Sequence, residues 1–145
     1  MLKSLLITLL LFSTSALSAP NVVVSIAPIQ SLVSNITQGV TTPKLLLNSD
    51  QSAHHAHLKP SQLSLVHQAD LIVTIHPKME QGLTKLLSTI NTKNKLYVIQ
   101  LKQSEEKDSM KHHDEHDDKA NYHNWLSIPH MKDFSQRLST KLSEI

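Results

Sequence analysis

Four short runs of β-branched and aliphatic residues recur along this chain, and between them lie stretches with helical apolar spacing. The runs are Asn21–Ile26 (NVVVSI), Lys44–Asn48 (KLLLN), Asp70–His76 (DLIVTIH) and Lys95–Leu101 (KLYVIQL). Each is too short for a helix; NVVVSI reads as a buried strand and the other three read as strands. Pro28–Thr37 carries Ile29, Leu32, Val33 and Ile36 at helical spacing, with proline at its start. Pro60–Ala69 reads as a second helix with Leu63, Val66 and His67 placed inward, and Met79–Ile90 as a third with Leu83, Leu86, Leu87 and Ile90 on one side. A last helix covers roughly Pro129–Ser143, with Phe134, Leu138 and Leu142 in register. Strand alternating with helix is the pattern of a parallel sheet wrapped by helices. The fold class is therefore expected to be α/β, a four-stranded parallel sheet flanked by helices.

The N-terminus is expected to be an export signal. Met1-Leu2-Lys3 is a short basic segment, and Leu5–Phe12 is an apolar run too short to cross a bilayer. Ala16-Leu17-Ser18 then supplies small residues suited to cleavage before Ala19, which makes residues 1–18 a signal peptide. No later run approaches membrane length, so the mature product is expected to be a periplasmic protein that does not span the membrane. The chain has no cysteine, which removes disulfides, a lipid-modified N-terminus and thiolate metal ligands alike. With a formal charge of +2 and five Phe, Tyr and Trp residues, it has no basic stripe with interleaved aromatics, and nucleic acid is not an expected partner.

Ligands of parallel sheets bind outside the carboxyl ends of the strands. Three loops follow strands there: the one after Ile26, Ser49–His57 after the second strand, and Lys102–His123 after the fourth. The chain's histidines concentrate in the last two. "SAHHAHLKPSQ" holds His54, His55 and His57, "HHDEHDD" holds His112, His113, Asp114, Glu115, His116, Asp117 and Asp118, and "NYHNWLS" holds His123. Neutral imidazole is the commonest zinc ligand, so this placement points to a metal site. Imidazole and carboxylate without thiolate suit Zn(II) and admit Mn(II), Co(II), Ni(II) or Cu(II). His67, His76 and His130 sit within or at the ends of regular elements and read as structural or surface histidines. A metalloenzyme is not expected, because no carboxylate or nucleophile stands at fixed spacing beside the histidines and no HExxH helix is present.

These residues together carry a family resemblance. The chain resembles the N-terminal lobe of the cluster A-I solute-binding proteins of ABC importers, and most of all the zinc-uptake members. "VVVSIAPIQSLVSNITQGV" is similar to the family's opening strand and helix. "SAHHAHLKPSQLSLVHQADLIV" is similar to its Ser-x-His segment followed by Leu-Arg/Lys-Pro-Ser and Ala-Asp-Leu-Val, and "NYHNWLS" to its His-x-Trp-Leu motif. A His- and acid-rich loop between them is typical of zinc members. The resemblance implies that His54 and His123 are metal ligands, that His55 and His57 lie nearby, and that 112–118 is an auxiliary metal-collecting loop. It also implies an ABC permease as partner. Ala56 departs from the pattern where an aromatic is common, and Ile128 where proline is common.

Family members have two lobes joined by a long helix, with metal between them. On that pattern residues 19–127 are the N-terminal lobe, containing the His/acid-rich loop 102–121, and residues 128–145 begin the interlobe helix. A second lobe would then come from a separate chain, or be missing from a truncated, non-functional remnant. A periplasmic zinc-buffering module that needs no permease is the alternative function.

Overall fold

The structure is a computed structural model that describes residues 18–99 and 126–145. Residues 1–17 of the expected signal peptide, the loop at 112–118, His123 and Trp125 lie outside the described residues. The elements are β1 (Val22–Val24), α1 (Ala27–Ile36), β2 (Lys44–Leu45), α2 (Pro60–His67), β3 (Leu71–Thr74), α3 (Gln81–Thr89), a short 3-10 turn (Thr92–Asn94), β4 (Lys95–Tyr97) and α4 (Ile128–Leu142). The strands form one sheet of order β2-β1-β3-β4, and every pairing is parallel. The α/β expectation is met.

Strand alternation divides the core. Side chains of successive strand residues point to opposite faces. Val22 and Val24 of β1, with Leu71, Val73 and Ile75 of and just after β3, pack on one face with Ile29 and Val33 of α1 and Phe134 and Leu138 of α4. Val23 and Ile72 face the other way, toward Val66 of α2 and Leu83 and Leu87 of α3, with Leu46, Leu47, Ala53 and Ala56 from the loop after β2. The helical spacing read from the sequence therefore selects the correct inward residues for α1, α3 and α4.

In α2 the inward set differs. Gln62 and Val66 are buried, and His67 is exposed. Gln62 turns in because its amide is satisfied there. Its Oε1 accepts from the Lys59 backbone N–H at 2.8 Å, and its Nε2 donates to the Leu46 carbonyl and to Gln51 Oε1. A buried polar side chain is tolerated where its hydrogen bonds are made, and His67, one residue on from Val66, is then turned outward.

The strands are shorter than the apolar runs, yet the ladder continues past them. Leu46 and Leu47 donate to Val24 and Ser25, and Val98 and Ile99 to Thr74 and Ile75. At the β4 edge, Arg137 of α4 donates to the carbonyls of Tyr97 (2.7 Å) and Val98 (2.9 Å), while its Nε pairs with Asp133 at 2.8 Å. That fork occupies carbonyls which an open sheet edge would otherwise present. After α1 the chain reverses through Gly39 at φ 81°, a left-handed conformation that glycine adopts without steric cost.

Candidate metal centre

The strand order places a reversal between β1 and β3. From β1 the chain runs outward to β2, and it then returns across β1 to form β3. Such a reversal opens a crevice at the carboxyl ends of the strands. Three polar features meet the chain at this end: the loop carrying His54, His55 and His57, the turn at His76, and Glu80 at the start of α3.

The loop that follows β2 is polar in sequence but firmly anchored. Ala53 and Ala56 are buried, and the three histidines between and beside them are exposed. Gln51 Nε2 donates to the His57 carbonyl at 3.3 Å, and the His55 N–H donates to the Ser52 carbonyl at 3.2 Å. The His54 and His55 rings are 6.3 Å apart and tilted by 50°. His54, His55 and His57 line an open depression of about 310 Å³ together with Ala56, Gln81 and Gly82. The alternation of small buried residues with histidines thus fixes the backbone while leaving imidazoles presented outward. Among the described residues, no three His, Asp or Glu side chains converge as a metal-holding group. His123, expected to share a metal with His54, lies outside those residues.

His76 behaves as a structural histidine. It is buried, and its Nδ1 accepts from the Lys78 N–H at 3.1 Å. Burial lowers its pKa, and the charge of Lys78 adds to this, so the neutral ring is favoured. His130 is exposed at the start of α4, with Nδ1 2.9 Å from the Ser127 hydroxyl.

Glu80 was not anticipated from the sequence. It is fully buried, and its Oε2 accepts from the Ile75 N–H at 2.7 Å. Burial pushes its pKa up to about 7, while the Ser25 hydroxyl and the backbone amides of Ile75 and His76 pull in the opposite direction. By strict geometry Ser25 Oγ, Thr74 Oγ1 and Glu80 Oε1 are buried without a hydrogen-bond partner among the described residues. Burial also raises the pKa of Tyr97, with the charge of Glu80 as the second cause. In the sequence Glu80 is simply an acidic residue in the first turn of the Met79–Ile90 pattern, which ordinarily marks an exposed helix start.

The architecture defines a class: one α/β lobe, with a histidine loop at the carboxyl ends of a parallel sheet. Residues 22–145 match the sequence profile of the zinc-uptake complex component A, periplasmic, and the chain belongs to that family. It is 28% identical to the high-affinity zinc uptake system protein ZnuA of Yersinia pestis, over 94% of this chain and 50% of that protein. It is 38% identical to the ZnuA of Brucella abortus (strain 2308), over 54% of this chain and 23% of that protein. A solved structure of a Mn-bound periplasmic metal binding protein from Candidatus Liberibacter asiaticus superposes with a TM-score of 0.62 at 18% identity, over 85% of this chain and 46% of that one. That last likeness is one of fold. The chain spans half or less of the length of these relatives. The family is one of transport components, in keeping with the expectation that this chain is not an enzyme. No helix among the described residues is long and apolar enough to cross a membrane.

Proposed function

We propose that this chain forms the N-terminal lobe of a periplasmic solute-binding protein that captures zinc for an ABC importer, with His54 and His123 as ligands. The family match over residues 22–145 carries this reading. The exposed His54 loop at the carboxyl ends of the strands supplies its chemistry. The relatives named above are zinc uptake proteins, and the fold neighbour holds manganese, so Zn(II) is the first metal to test and Mn(II) the second. Residues 1–18 direct export, residues 19–127 build the lobe, and residues 128–145 lead into the interlobe helix. The inner face of that last segment is already committed to this lobe's core through Phe134 and Leu138.

Two imidazoles leave a zinc shell incomplete, because zinc ordinarily takes four ligands in a tetrahedron. The remaining ligands belong to a second lobe, and capture for uptake requires it. His112, His113, Asp114, Glu115, His116, Asp117 and Asp118 act as a weak collector that raises the local metal concentration, with His55 and His57 beside the site. Isothermal titration with zinc tests the assignment. His54→Ala and His123→Ala are each expected to remove the tightest event, and the double variant to lose little more than either single one, since both serve one ion. Additive losses would mean two independent sites and would end the shared-ion reading. Deleting Lys111–Lys119 is expected to remove only the weaker equivalents, and an unchanged stoichiometry would dismiss the collector.

A further inference from the structure

Gly82 sits in the first turn of α3, in ordinary helical backbone, where glycine weakens a helix relative to alanine. Its conformation therefore does not require glycine, but its surroundings do. A Cβ at this position would stand 2.6 Å from both the N and the O of Ala56 and 3.1 Å from its Cα. Those atoms are loop backbone and cannot swing aside as the tip of a long side chain can. Ala56 lies in the middle of the histidine loop, two residues after His54 and one before His57. The loop is held elsewhere by Gln51, which donates to the His57 carbonyl and accepts from Gln62, and its centre rests on Gly82. Helix α3 is itself fixed to the end of β3. The Glu80 and Met79 N–H groups donate to the His76 carbonyl at 3.0 Å, and the Ile75 N–H donates to the Glu80 side chain.

We propose that Gly82 is a positioning residue for metal capture: by carrying no side chain it lets the Ala56 backbone seat on α3, which sets the height at which His54 is presented. This rests on the assignment of His54 as a ligand. Ordinary contact requires about 3.4 Å or more where a Cβ at position 82 would have 2.6 Å, so a side chain there must lift the loop. Metal ligation tolerates displacements of only about 0.2 Å in bond length, so a lifted His54 must reach its ion through a strained loop.

The test compares Gly82→Ala with His54→Ala and with Ser88→Ala, an exposed change on the same helix. Zinc affinity is read by competition with a chromophoric chelator, and the His ring signals of the metal-free proteins by NMR. Gly82→Ala is expected to weaken the His54-dependent event at least tenfold and to shift the His54, His55 and His57 ring signals before metal is added. Signals from Phe134 in the opposite core should hold still, and Ser88→Ala should bind zinc as the parent does. Parent-like zinc binding by Gly82→Ala, with His54→Ala defective, overturns the positioning role and leaves the ligand assignment standing. Parent-like binding by His54→Ala refutes the ligand assignment instead. The seating of the loop is then decided by the metal-free spectra alone, where unshifted ring signals in Gly82→Ala overturn it. Should Gly82→Ala fail to fold, amide exchange in the parent decides: Ala56 protected together with Leu83 supports the seat, and exchange at the rate of a free loop overturns it.

Discussion

The two faces of the sheet are built by different means. The α1/α4 face is filled by large side chains: Phe134, Ile29, Leu71, Ile75 and Leu138 are essentially inaccessible, and they interlock around Val22, Val24 and Val73. The α2/α3 face also buries large side chains, Leu46, Leu47, Ile72 and Leu83, but adds small residues and a buried amide. Gly82 lets α3 approach the backbone of Ala56, Ala53 and Ala69 are buried beside it in the same cluster, and the buried amide of Gln62 ties a loop to a helix. Large apolar side chains give stability without direction. Close backbone contact and hydrogen bonds give less stability per residue but fix where a loop lies. The histidine loop stands over the second kind of face.

Truncating the apolar face should have the largest effect. Phe134→Ala removes a fully buried ring and should cost about 3–5 kcal/mol in urea-induced unfolding. A cost below about 1 kcal/mol would show that the face collapses around the cavity and that the two faces do not differ in this way.

The second prediction concerns Glu80 and pH. Its pKa is raised to about 7 in the fold, above that of an exposed carboxyl. The folded chain therefore binds a proton that the unfolded chain releases, and stability must fall as pH rises from about 4.5 to about 7. Below that window the contribution is absent, because both states are protonated. Above it the full penalty of a buried carboxylate is present, on the order of 3 kcal/mol. Glu80→Gln keeps an oxygen for the Ile75 N–H and removes the charge. It should flatten the fall and be the more stable protein at pH 8. Parallel stability curves for the two proteins across this window would show that Glu80 ionises without cost.

Gln62→Ala should cost about 1–3 kcal/mol, because the Leu46 carbonyl and the Lys59 N–H lose their partner. Its distinguishing effect is local: hydrogen exchange should speed up across Ser49–Lys59 and stay unchanged in α4. Equal acceleration in both places would mean that the amide supports the whole core and not the loop. The smallest effect on stability is expected from His54→Ala, within about 0.5 kcal/mol, since the ring is exposed. A larger loss in thermal unfolding would make His54 a packing residue.

Much of this was legible in the residues. NVVVSI reads as a buried strand and DLIVTIH as a strand, and they pair as β1 and β3 at the centre of the sheet. The spacing of Ile29 and Val33, of Leu83 and Leu87, and of Phe134 and Leu138 named the inward faces of three helices. The stretch around His54 was legible as a polar loop after the second strand, and its three histidines are exposed there; the ligand role of His54 came from the family pattern and stands as a proposal. His67 was misplaced because apolar spacing over eight residues cannot outweigh a glutamine that finds three polar partners in space.

Sequence alone determined the parallel α/β class, the order of its elements and the loop that presents His54, because these follow from local periodicity and from which residues can form which backbone. Tertiary structure decided what Glu80, Gln62 and Gly82 do. An acid at the start of one helix, a glycine within it and an amide in the first turn of another have no meaning of their own until other segments reach them. Ile75 turns the acid into a buried anchor, Leu46 and Gln51 turn the amide inward, and the backbone of Ala56 leaves room for no side chain at position 82.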